Sequence, residues 1–201
     1  MILGAALLLG ALSLFAYNWA EAARAEQASA ALMPQIIEEI AKKKPEQTED
    51  NLQSDWDVPE EFLDPSAFEM TEVEIDGYAY IGYLSIPALE LELPIMAQWD
   101  YDRLQIAPCR YTGSVRGEDL VLLAHNYTWH FGKLSELSEG DLVIFTDMDG
   151  VQTNYEVVGR DVLAPIAVEE MTAGDFDLTL FTCTYGGKSR VTVYCDRVTT
   201  D

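Results

Sequence analysis

From about Val73 onward the chain is dominated by short runs in which apolar and polar residues alternate, a pattern that predicts strands rather than helices. Residues 79–86 (AYIGYLSI) read as one strand and 89–96 as the next, with Pro87 and Pro94 as punctuation. Residues 119–124 (DLVLLA) are strongly apolar, which suits a central strand, and they end at His125. Residues 141–146 (DLVIFT) and 154–162 read as an outgoing and a returning strand around the turn Asp147-Met148-Asp149-Gly150. Residues 178–182 form a strand that delivers Cys183 to its end, and Tyr185-Gly186-Gly187-Lys188 is turn chemistry. The run 190–194 then places Val191 and Val193 on one face, with Arg190, Thr192 and Tyr194 on the other. Helical expectations are few: a short helix within 99–107 and a turn at 133–137. Many short strands with little helical periodicity indicate a β-rich barrel or sandwich.

The N-terminal third is patterned differently. Residues 1–20 are nearly all apolar, with no charge before Glu21, and a stretch of roughly 20 such residues is enough to cross a bilayer as a helix. A cleaved secretory signal is the alternative, because Ala20-Glu21-Ala22 and Ala28-Ser29-Ala30 resemble small-residue cleavage patterns. No Lys or Arg precedes the span, so the positive-inside rule does not orient it. Residues 21–45 are rich in Ala and Glu and favour helix, with a break expected at Pro34. Residues 46–70 are acidic and poor in aliphatics, which reads as a linker or loosely docked arm. Asp64-Pro65 followed by Phe68 weakly resembles a lid over a hydrolase cleft. The expected division is therefore an anchor or signal over 1–20, an arm over 21–72 and a folded domain over 73–201.

Charge narrows the partners. With 12 Lys and Arg against 35 Asp and Glu, the net charge of −23 argues against nucleic acid, whose phosphates need cations. Three scattered cysteines are too few for a disulfide scaffold or a zinc ribbon. The Asp147–Gly150 fragment resembles the start of a calcium loop but lacks the remaining ligands, so it reads as a hairpin turn. Strand parity puts Cys195 on the face of Val191 and Val193, as a buried thiol. Cys109 falls in a connection of unclear facing, and a Cys109–Cys195 disulfide stays open for a protein outside the membrane.

The candidate chemistry lies at strand ends. A cysteine nucleophile reacts as the thiolate, which a nearby fixed positive charge favours, and Arg190 opens the strand that follows Cys183. Its guanidinium is also a ready donor to a developing oxyanion. The base must come from the two histidines: His125, at the end of a buried strand, or His130, in an aromatic loop with Trp129 and Phe131. Cys183, Arg190 and His125 are each of the right type and each at a strand terminus, which makes a coherent site.

These residues also carry a resemblance. Thr179-Leu180-Phe181-Thr182-Cys183 resembles the TLxTC signature of sortases, the cysteine transpeptidases of Gram-positive cell surfaces. Arg190 before Val191-Thr192-Val193 is similar to the arginine of that family, and His125 in LLAHN, followed by HFGKL, to its histidine. IGYLSIP at 81–87 and Leu93-Pro94-Ile95 look like its opening strands, so the resemblance covers about 78–198. It implies an all-β fold, an eight-stranded sortase-type β-barrel with short helices after an N-terminal transmembrane helix. The implied location is a single-pass protein of the cell membrane with an extracellular catalytic domain.

The implied reaction is a two-step acyl transfer. Cys183 attacks the Thr–Gly carbonyl of an LPxTG-like sorting signal to give a thioacyl-enzyme. An amine acceptor, a cell-wall precursor or a pilin lysine, then resolves it. His125 is expected as general acid and then base, and Arg190 as donor to the oxyanion. Thr182 contacts substrate or orders the strand end, and Asn126 is a weaker candidate for binding or for orienting His125. No metal or organic cofactor is expected. The alternatives are a surface cysteine endopeptidase that hydrolyses without transfer and an inactive, membrane-tethered binding domain.

Overall fold

A computed structural model describes residues 2–43 and 69–198. Its strands are β1 (Val73–Ile75), β2 (Tyr78–Ile86), β3 (Leu91–Met96), β4 (Cys109–Thr112), β5 (Leu120–Ala124), β6 (Leu142–Asp147), β7 (Gln152–Leu163), β8 (Leu178–Cys183) and β9 (Arg190–Arg197). They form one sheet in the order β1-β2-β3-β4-β5-β8-β9-β7-β6, and β6 returns to pair with β2. The ring β2 to β9 is thus a closed eight-stranded barrel, with β1 laid along the first half of β2. Closure leaves no long unpaired edge, the usual hazard of a β-rich chain.

Glycine makes that closure possible at one point. Gly82 stands opposite Asp147 in the β2–β6 seam with φ of 144°, just after a register shift in the β2–β3 pairing. A Cβ there would lie 2.1 Å from the Thr146 carbonyl oxygen, so only glycine admits this approach of two backbones.

The strands sort their apolar residues to two faces. Ile81, Leu84, Leu122, Phe145, Tyr155, Leu180, Val193 and Cys195 fill the barrel interior. Tyr80, Met96, Cys109, Leu123, Met148 and Phe181 form a second cluster on the outer wall. Strand β5 contributes to both, with Leu120 and Leu122 inward and Val121 and Leu123 outward, which is why its sequence is unbrokenly apolar. Cys195 is fully buried with Val193, as strand parity implied, while Cys109 sits in the other cluster; both are free thiols and no disulfide joins them.

The outer cluster is covered by α1 (Ile2–Lys43). Ala25, Ser29, Leu32, Met33 and Ile36 are buried along one stripe at helical spacing, so this part of the expected arm is packed onto the barrel. The helix also runs through Pro34 rather than breaking there. Pro34 itself faces solvent, and the burial of Leu32, Met33 and Ile36 around it offsets the backbone hydrogen bond a proline lacks. The other helices are short, α2 (Tyr101–Leu104) and α3 (Val168–Met171). Strands β1 and β4 and helix α3 were not anticipated from the sequence.

The front of α1 is different. Leu7, Leu8, Leu9, Leu12, Leu14, Phe15 and Trp19 are all exposed, on every side of the helix. Among the described residues, however, no helix is long and apolar enough to cross a membrane. The apolar front passes without a break into Glu21, Arg24 and the docked stripe of the same helix. The transmembrane helix expected over 1–20 is therefore not supported by the fold. Met1 and residues 44–68, which include Asp64, Pro65 and Phe68 of the lid-like motif, lie outside the described residues.

One buried polar pair fixes α1 to the barrel. Ser29 Oγ donates to the Ile106 carbonyl at 2.9 Å, which leaves its oxygen to accept from Nε2 of the fully buried His130 at 3.2 Å. Burial pushes the His130 pKa from 6.5 down to about 4; nearby His125 acts in the same direction and the Ala25 carbonyl against it. A depressed histidine contributes stability that is complete above its unfolded pKa and is lost as pH falls toward the folded one. Between pH 6.5 and 4 this site is expected to remove roughly 3 kcal/mol of unfolding free energy. His130→Asn keeps a donor for Ser29 but does not titrate, so urea denaturation of both proteins at pH 7 and pH 4.5 should show a markedly smaller acid loss in the variant.

Candidate active site

The barrel places three reactive side chains on one rim through strand register. Strands β5 and β8 run parallel, with Ala124 opposite Thr182, so His125 and Cys183 leave adjacent strands at the same end. Strand β9 returns antiparallel to β8, and its first residue, Arg190, is paired with Cys183. Imidazole, thiol and guanidinium thus come from three neighbouring strands; the sequence had placed each at a strand terminus, and the structure adds that the His125 strand lies beside that of Cys183.

Two features hold the thiol in place. Thr182 is 4% exposed and its Oγ1 donates to the Ala124 carbonyl at 2.8 Å, strapping β8 to β5 one residue before Cys183. This bond is the contact that the strand-ordering expectation for Thr182 calls for. The second feature is the β8–β9 connection, clasped by Thr184 and Ser189. Thr184 N–H donates to the Ser189 carbonyl at 3.0 Å, Ser189 N–H donates to Thr184 Oγ1 at 3.1 Å, and the two hydroxyls lie 3.1 Å apart. Between them Gly186 and Gly187 take φ of 79° and 69°, a left-handed conformation suited to glycine. Arg190 Nη1 donates to the carbonyls of Ser189 and Gly187 at 3.1 and 3.3 Å. A guanidinium carries five N–H donors, and these two bonds use one nitrogen.

His125 is half-buried, and burial lowers its pKa below the usual 6.5, favouring the neutral ring at neutral pH. Its ring lies 5.0 Å from that of Tyr127, which in turn lies 5.6 Å from His130. The loop after it is tightly wound: Phe131 N–H donates to the His125 carbonyl, and the N–H groups of His130 and Gly132 donate to that of Tyr127. A Cβ on Gly132 would sit 2.6 Å from the Asn126 carbonyl oxygen, so glycine is needed to bring the loop this close. His130, the alternative acid or base, is withdrawn from the rim and bonded to Ser29.

Two cavities meet at Tyr101, His125 and Cys183. The smaller, about 180 Å³, is lined by Arg190 and by apolar groups that include Leu104, Leu123, Met171 and Phe181. The larger, about 720 Å³, is lined by Asn126, Tyr127 and Tyr185 on the barrel and by Tyr17, Trp19 and Glu21 of α1. The contribution of α1 had no signal in the sequence, because nothing in an apolar run says which surface it will pass. Among the described residues no cluster of His, Cys, Asp or Glu could hold a metal ion. The carboxylates of the 147–150 turn are engaged locally: Asp147 accepts from the N–H groups of Asp149 and Val151, and Asp149 pairs with Lys43 and Thr71.

Residues 84–198 match the sortase domain family. Among solved structures, sortase C1 from Streptococcus suis is 29% identical, covering 61% of this chain and 74% of its own, with a TM-score of 0.54. Sortase C from Clostridium perfringens is 22% identical over 94% of this chain and 99% of its own, with a TM-score of 0.55. A lid mutant of sortase A from Corynebacterium diphtheriae is 22% identical over 86% and 97%, with a TM-score of 0.53; these two likenesses speak to the fold alone. No curated protein matches the chain.

The Thr182 strap is open to test. Thr182→Val keeps the shape but leaves the Ala124 carbonyl short of a donor, and is expected to lower stability by about 1 kcal/mol, whereas Thr182→Ser should retain most of it. Urea unfolding of the unliganded protein measures this; equal stability of all three would return the hydroxyl to a substrate-facing role.

Proposed function

The chain belongs to the sortase family, and from that premise we propose that it is a cysteine transpeptidase that cleaves an LPxTG-like sorting signal and joins the product to an amine. The observation that carries this reading is the register that sets Cys183 across from Arg190 and beside the strand end bearing His125. The thiol proton passes to His125 as Cys183 Sγ attacks the Thr–Gly carbonyl. Arg190 donates to the oxyanion that develops, from the side of the smaller cavity, whose apolar lining suits the leucine and proline of the signal. His125 then protonates the leaving amine, and the acyl group stays on Cys183 as a thioester. In the second half an acceptor amine attacks that carbonyl, gives a proton to His125 and releases the thiolate. The acceptor is an amine of a cell-wall precursor or of another surface protein.

On this reading the sorting signals are those of cell-surface proteins, and the catalytic domain works outside the cell membrane. The front of α1, which exposes Leu7, Leu8, Leu9, Leu12, Leu14 and Phe15, supports contact with that membrane.

Incubation of the full chain with a panel of LPxTG-like peptides, followed by mass spectrometry, tests the reading. A thioacyl adduct on Cys183, absent in Cys183→Ala and converted to an amide by oligoglycine, is the expected result. Arg190→Lys keeps the charge but loses the fork, and turnover is expected to fall by roughly 100-fold. Cleavage that yields only acid, with every amine tried, would favour an endopeptidase. Folded protein with a free thiol and no adduct would remove the assignment.

A further inference from the structure

The two cavities that meet at Cys183 and His125 differ in chemistry, and the difference assigns them different substrates. The smaller holds Arg190 among aliphatic and aromatic walls and, among the described residues, no carboxylate lines it. The larger carries one carboxylate, Glu21 of α1, among the aromatic rings of Phe15, Tyr17, Trp19, Tyr127 and Tyr185. Glu21 is close enough to the barrel to act on it: the Tyr127 pKa is raised first by burial and then by the charges of Glu21 and Tyr17. A carboxylate that shares a cavity with aromatic rings attracts an ammonium, through its charge and through the quadrupoles of rings the cation can reach. It offers nothing comparable to the neutral, apolar acyl segment of a sorting signal.

We propose that the larger cavity is the acceptor subsite and that α1, through Glu21 and the rings of Tyr17 and Trp19, selects and holds the amine that resolves the thioester. The inference rests on the transpeptidase reading above. By microscopic reversibility the incoming amine attacks from the side on which the leaving amine departed, within reach of the group that protonated it. His125 lines both cavities, whereas Asn126 lines this one and Arg190 the other. The bound ammonium first gives one proton to water. The amine nitrogen then forms the C–N bond as the C–S bond breaks, its second proton passes to neutral His125, and the electron pair of the broken bond returns to Cys183 Sγ. Arg24 pairs with Glu21 Oε1 on the exposed side of α1, so it competes with the acceptor for the same carboxylate.

That competition gives the test two signs. With full-length protein, an LPxTG-like peptide and triglycine or Nα-acetyl-lysine amide as acceptor, the ratio of amide to hydrolysis product is measured against amine concentration. This ratio does not depend on how fast the thioester forms. Glu21→Gln is expected to raise the half-saturating amine concentration by about fivefold, and Arg24→Gln to lower it by about twofold. Hydroxylamine, uncharged at neutral pH, should partition alike in all three proteins. Unchanged half-saturation in both variants, with wild-type protein forming amide normally, would overturn the subsite and leave the transpeptidase reading standing. Absence of a thioacyl adduct in wild-type protein would overturn both.

Discussion

The parallel alignment of β5 with β8 is the constraint on which the rest of the molecule depends. Successive side chains of a strand point to opposite faces, so a one-residue slip would exchange inside and outside along the whole strand. Here the slip is forbidden twice. Leu120 and Leu122 belong to the interior and Val121 and Leu123 to the outer cluster, so β5 has no polar face to turn outward. Thr182 then ties the last rung through a side-chain bond that exists in one register only. The site is the sum of these restrictions: with Ala124 fixed beside Thr182 and Cys183 fixed across from Arg190, three reactive groups share one rim without any of them supplying the energy to stay there.

Helix α1 extends the same logic beyond the barrel. The large side chains of its buried stripe, Leu32, Met33 and Ile36, lie in its second half, while Ala25 and Ser29 are the buried positions nearer the site, so apolar packing alone specifies the seat weakly there. The buried Ser29–His130 pair supplies the specificity, because a sliding or rotated helix would leave a serine and an imidazole unpaired away from water. This seat carries Tyr17, Trp19 and Glu21 to the mouth of the cleft, and His130 is in ring contact with Tyr127, which in turn touches His125. The segment that faces outward as an apolar rod and the segment that walls the site are therefore parts of one continuous helix.

The sequence was informative where local pattern and tertiary environment agree. Alternation located β2, β3, β6, β7, β8 and β9, the apolar run located β5, and parity placed Cys195 inside with Val193. Strand β4 escaped because it is four residues long and irregular, with a register shift between Arg110 and Thr112, which leaves no period to detect. Pro34 misled because its local effect on a helix is real but smaller than the burial around it. Cys109 and Cys195 looked like possible partners because sequence carries no record of which side of a barrel wall a residue occupies. The same blindness hid α1 from the site. Thr182 was ambiguous for a different reason: a threonine before the nucleophile suits a strand and a substrate contact equally, and only the direction of its hydroxyl separates them.

The charge balance acquires a meaning once the rim is in view. A chain at −23 repels anions and concentrates cations near its surface, though salt limits that reach to about 8 Å at physiological ionic strength. Among the described residues Arg190 is the one Lys or Arg lining either cavity, and its Nη1 is held by two backbone carbonyls rather than by an acid. On the transpeptidase reading, Glu21 in the lining of one cavity and Arg190 in that of the other separate two requirements that conflict in a uniformly charged cleft. The oxyanion needs a cation within bonding distance, and an ammonium acceptor needs a negative approach beyond it. Short-range hydrogen bonding and longer-range attraction act at different distances, so the same rim can satisfy both.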